Sequence, residues 1–107
     1  MDVNLIVAAL VTGSFAVSGG VKVLGTTRAS AAFKRWGYPP FYRITIGVIE
    51  LLGALMLHHE STRQPAGALL LVLLVGGLAT HIKFKEWHVI AVPLVLGGLL
   101  VRLLLSA

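Results

Sequence analysis

The sequence contains no cysteine. That excludes disulfides, a thiol redox centre, iron–sulfur ligation and any cysteine-based zinc site. Charge is scarce too. Charged residues make up 12% of the 107 positions, about half of what a soluble domain uses to cover its surface. Acidic residues number four against nine Lys and Arg. No phosphate-binding glycine loop is present, and no HxxxH or ExxH pair sets two ligands on one helix face, so no metal site is expected.

What is abundant is apolar. Hydrophobic residues reach 57% and the mean hydropathy is +0.92. They gather in four long blocks instead of alternating with polar residues. A bilayer offers no partner to backbone amides, so apolar blocks of about 20 residues are expected to be helices. The blocks place spans at about 3–24, 41–58, 66–82 and 89–105. The expectation is one all-α domain, an integral membrane four-helix bundle. The first block is read as a retained span, because no cation precedes it and it outruns the roughly 7–15 apolar residues of a signal core. Pro39-Pro40 and Pro65 stand before the second and third spans, where a missing N–H is harmless. Pro93 lies inside the fourth and is expected to bend it.

Residues 26–38 form the longest connection. Ala29, Ala32, Phe33 and Trp36 recur at helical spacing among Arg28, Lys34 and Arg35. A short interfacial helix anchored by Trp36 and Tyr38 fits this pattern, and so does a plain basic loop. The net charge of +5 does not point to nucleic acid, since no basic stripe is interleaved with aromatics. Most of the cations sit between the apolar blocks. Arg28, Lys34, Arg35, Arg43, Lys83 and Lys85 share one side of the expected bundle, while Arg63 and Arg102 lie on the other. By the excess of positive charge on cytoplasmic loops, a multi-pass protein of the cell membrane is expected, with both termini outside.

Glu50 falls near the centre of the second span. Facing lipid, it would cost at least about 2.5–3.5 kcal/mol, so it is expected to face the bundle interior. Gly47, Gly53 and Ala54, three and four residues away, make a small-residue face there. On the first span Ser14, Ser18 and Lys22 follow at i, i+4 spacing. Lys22 either snorkels to the headgroups or reaches inward to Glu50, and spacing alone leaves both open. His81 closes the third span at the same level as Lys22, Arg43 and His88, which outlines a candidate polar cavity below Glu50. A plainer reading makes Glu50 and Lys22 a buried pair that fixes helix register. The pairs Gly19-Gly20, Gly76-Gly77 and Gly97-Gly98 read as packing contacts.

Taken together, Gly19-Gly20-Val21-Lys22-Val23-Leu24, Phe33-Lys34-Arg35-Trp36-Gly37-Tyr38-Pro39, Arg43, Gly47-Val48-Ile49-Glu50-Leu51-Leu52-Gly53-Ala54 and Thr80-His81 resemble the DoxX-like family of small four-helix membrane proteins. The match covers nearly the whole chain. It implies a four-helix fold in a bacterial or archaeal cytoplasmic membrane. The family takes its name from a subunit of a thiosulfate:quinone oxidoreductase, other relatives are linked to quinone or oxidative stress, and a distant animal branch assists receptor assembly. The resemblance carries fold better than function.

Three functions follow as expectations. In the first, the chain is an accessory subunit of quinone-linked redox chemistry. Glu50, Lys22 and His81 act on the ligand or its protons, Arg43 and Ser18 help to bind it, and a partner supplies the redox centre. In the second, it is a self-contained isomerase or hydrolase of a lipophilic substrate with Glu50 as general acid or base. In the third, it is a non-catalytic assembly factor. The apolar surface and small-residue faces also suit a homodimer or a membrane protein partner. A lipophilic ligand around Glu50 would favour the first two functions, and a direct contact with Lys22 would favour the structural pair.

Overall fold

The computed structural model describes residues 2–106. Asp2 accepts a hydrogen bond from the Asn4 amide at 2.9 Å and so caps α1, Val3–Leu24. Gly25 ends that helix at φ 69°, a left-handed conformation that glycine adopts without steric cost. Thr26 then caps α2, Thr27–Trp36, by accepting from the Ala29 amide at 3.2 Å. Gly37 closes it at φ 80°. The connection after α1 is therefore a helix, one of the two forms that its spacing left open. It turns by 120° into α3, Pro40–Met56.

α4 covers Arg63–Lys83, and a 3-10 turn at Trp87–Val89 leads into α5, Ala91–Leu105. α1, α4 and the stretch from Trp87 to Leu105 span 22, 21 and 19 residues and contain 18-residue segments of mean hydropathy 1.7, 1.9 and 2.2. These three are long and apolar enough to cross a membrane. α3 has 17 residues, about 26 Å of helix at 1.5 Å per residue, and pairs with the bent α2 as a fourth candidate span. No strand occurs among the described residues.

The four long helices close into a ring in which α1 packs on α3, α3 on α4, α4 on α5 and α5 back on α1. Val7, Val11 and Phe15 recur every fourth residue down the inner face of α1. They meet Ala54 of α3 and Leu57 at its C-terminal cap, Ala66 and Leu70 of α4, and Leu96 and Leu100 of α5. The outside is equally apolar: Val17, Leu55, Val72, Val75 and Val95 are each at least 62% exposed. Water would penalise that surface and acyl chains would not.

Three expectations change in detail. α4 starts at Arg63, not residue 66, so Pro65 lies in its first turn. Pro93 likewise falls in the first turn of α5, where its absent N–H breaks no helical bond, and the irregularity is the 3-10 turn before it. Of the glycine pairs, only Gly19 makes a close helix contact. A Cβ on Gly20, Gly76, Gly77 or Gly98 would meet nothing within 4 Å, and on Gly97 only Leu74 at 3.9 Å.

Candidate functional site

α1 and α3 cross backbone to backbone. A Cβ built on Gly19 would lie 2.7 Å from the Gly47 carbonyl oxygen, and one on Gly47 would lie 2.8 Å from that of Gly19. Only hydrogen fits at either position. The crossing sets Lys22 three residues beyond Gly19 and Glu50 three residues beyond Gly47. The helices are antiparallel, so these two backbones diverge by about 9 Å along the bundle axis.

Side chains on a helix lean toward its N-terminus. For Lys22 that direction leads inward along α1, away from the basic end, and the ammonium closes the gap. Its Nζ donates to Ser18 Oγ at 2.7 Å and to Glu50 Oε1, forming a direct ion pair. Glu50 is buried, 4% exposed, while the Lys22 side chain keeps 22% of its surface. The second carboxylate oxygen of Glu50 makes no hydrogen bond, yet no sealed side-chain oxygen lacks a partner among the described residues. That oxygen therefore retains contact with the outside of the protein.

Arg43 lies one turn before Gly47 and donates through Nη1 to the backbone carbonyl of Lys22. A cation at the C-terminal carbonyls of α1 is favourable there. Arg43 thus supports the segment that carries Lys22 without touching Glu50.

His81 goes elsewhere. Its Nδ1 lies 2.9 Å from Glu86 Oε1. Trp36 Nε1 donates to the same oxygen at 3.1 Å, and Arg35 donates to Oε2 through Nε at 3.1 Å and through Nη2. Glu86 is aimed by Lys85, the one non-glycine residue at positive φ (56°) among the described residues. Beside it, Tyr38 and Thr80 share a hydrogen bond of 2.9 Å. This second cluster ties α2 to the end of α4. Burial alone would raise the pKa of Glu86. The hydrogen bonds from His81, Arg35 and Trp36, with the Arg35 charge, outweigh burial and hold it below its ordinary 4.5.

The structure therefore brings Ser18, Lys22 and Glu50 together, places Arg43 one step behind them, and assigns His81 to a different group. Glu86 escaped the reading of the sequence. Its signal was there, as the only carboxylate between the third and fourth spans among basic neighbours. Among the described residues no group of three His, Asp or Glu side chains could hold a metal ion.

Apolar helices closed around an internal carboxylate–ammonium pair define a small multi-pass membrane protein with a polar site at its α1–α3 crossing. The chain belongs to the DoxX-like family, whose model matches residues 6–103. No curated protein and no solved structure matches it.

Proposed function

We propose that the chain is an accessory membrane subunit of quinone-linked redox chemistry, with Ser18, Lys22 and Glu50 receiving the polar head of the lipophilic ligand. The observation that carries this reading is the pairing of a donor and an acceptor inside an apolar bundle, with neither fully sealed. A quinone carbonyl accepts a hydrogen bond, which the Lys22 ammonium can give. A quinol hydroxyl donates one, which the free oxygen of Glu50 can take. One site so built serves both redox states and can hold one of the two protons that, with two electrons, separate them. The electrons come from a centre on a partner protein. In this reading the basic end of the bundle, with Arg28, Lys34, Lys83 and Lys85, faces the cytoplasm.

Titration of the reconstituted chain with a short-chain quinone, read by tryptophan fluorescence, tests the proposal. Saturable binding weakened about tenfold by Glu50→Gln is expected, the worth of one charge-assisted hydrogen bond. Equal binding by both proteins contradicts it. Turnover of a lipophilic substrate by the purified chain alone would point instead to an isomerase or hydrolase.

A second reading is favoured by the directness of the Lys22–Glu50 contact and by the Gly19–Gly47 crossing beside it. In that reading the pair sets the register of α1 on α3, and the protein acts as a non-catalytic assembly factor. A double Lys22→Met/Glu50→Leu variant separates the two. It would keep partner binding if the pair is structural and lose quinone binding if it is not.

A further inference from the structure

We infer that the groove between α2 and the start of α3 binds the phosphate of an anionic membrane lipid. The inference is independent of the quinone reading, because it uses none of Ser18, Lys22 and Glu50.

The argument starts from charge. Arg28, Lys34, Arg35, Arg43, Lys83 and Lys85 crowd one end of the bundle, beyond the paired Lys22, and Glu86 is the only carboxylate there among the described residues. Arg35, His81 and Trp36 already occupy both oxygens of Glu86. Lys34 and Arg43 consequently have no counter-ion among the described residues.

These two cations line the same groove, a space of about 580 Å³. Lys34 is exposed at its rim and its ammonium has no hydrogen-bond partner among the described residues, so it is available. Arg43 is half-buried and spends one N–H of its Nη1 on the Lys22 carbonyl. The remaining N–H groups of its guanidinium fork are uncommitted, and such a fork matches the spacing of phosphate oxygens. α3 begins at this groove with no side chain capping it, so the positive end of its dipole adds to the two full charges.

The rest of the wall is mostly apolar, with Phe33, Tyr38, Pro39 and Pro40 beside Gly37 and Ser30, and the Ser30 hydroxyl is spent on the Gly25 carbonyl. Tyr38 turns its hydroxyl away to Thr80 and presents its ring. Two cations above a wall of rings and prolines suit a phosphate that carries acyl chains better than a small hydrophilic anion. The groove also sits where α1 ends and α3 begins, at the depth of headgroups for helices that cross a bilayer.

The test uses the full chain, purified in neutral detergent and titrated with phosphatidylglycerol or with phosphatidylcholine of the same acyl chains. Retained lipid is counted by native mass spectrometry. Phosphatidylglycerol should be preferred, and Lys34→Gln should cut that preference about fivefold, with a further factor of about five on adding Arg43→Gln. Arg43 also supports the end of α1, so the Lys34→Gln variant, at an exposed side chain without hydrogen bonds, keeps the test clear of misfolding. Lys83→Gln and Lys85→Gln should change the preference by less than about twofold, being outside the groove. Equal retention of the two lipids would overturn the inference, as would an equal response to the Lys83 and Lys85 variants. Displacement of the lipid by inorganic phosphate at matched concentration would overturn it as well, since the anion alone would then suffice.

Discussion

Lys22 and Glu50, 28 residues apart in sequence, form a direct ion pair between α1 and α3. The pair exists because two glycines let the helices touch, and because a lysine near the C-terminal end of a helix naturally leans back along it. Apart from Ser18 the ammonium has no polar partner but the carboxylate. Removing one member therefore strands the other in an apolar setting.

Loss of one partner of a buried pair costs about 3–5 kcal/mol, and the residual exposure of Lys22 moderates this to about 2–3 kcal/mol. Lys22→Met and Glu50→Ala should each lower the stability of the purified protein by that amount, measured by denaturant unfolding in detergent. The double variant Lys22→Met/Glu50→Leu should lie close to wild type. A double variant as unstable as the sum of the singles would mean that the side chains do not interact.

The crossing beneath the pair makes a sharper distinction. Gly19→Ala and Gly47→Ala should each destabilise by about 1–3 kcal/mol, since the added methyl meets a backbone oxygen that cannot yield without separating the helices. Gly20→Ala and Gly76→Ala, with open space at the same depth in sequence, should be neutral or slightly stabilising. Thermal midpoints of the four variants check this, and equal effects at all four would contradict the assigned crossing.

The second cluster predicts a dependence on pH. The folded-state pKa of Glu86 lies below its ordinary 4.5, so its contribution to stability is complete above that value. It fades as pH falls through the lower folded value. The difference in thermal midpoint between wild type and Glu86→Gln should accordingly be present at about pH 5 and shrink as pH falls below 4.5. A difference that stays constant to pH 3 would show that the hydrogen bonds to the carboxylate are not formed.

Much of this architecture is legible in the residues, and the exceptions have physical reasons. Four apolar blocks declare the spans because lipid permits little else, and the desolvation cost of Glu50 declares its burial. The start of α4 was displaced because Pro65 looks like a break, and Pro93 looks like a kink, although a proline in a first helical turn interrupts no bond. Gly76, Gly77 and Gly98 resemble contact residues as much as Gly19 does, since sequence cannot tell which side of an apolar helix meets protein. Whether Lys22 points inward depended on the lean of a side chain, which spacing leaves open. Glu86 resembled any solvated loop charge, and its three donors come together only when α2 folds back by 120°. His81 was expected beside Glu50 for its depth, but depth does not fix direction, and Glu86 is the partner it meets.

A photoreactive short-chain quinone, incorporated into vesicles with the reconstituted chain and mapped by peptide sequencing, tests the proposed role of the Lys22–Glu50 site most directly. Labelling concentrated at residues 18–22 and 47–54, displaced by unlabelled quinone and strongly reduced in Glu50→Gln, is the predicted result. Labelling spread over outward-facing residues such as Val17, Leu55 and Val72, indifferent to competitor and to Glu50→Gln, would contradict it.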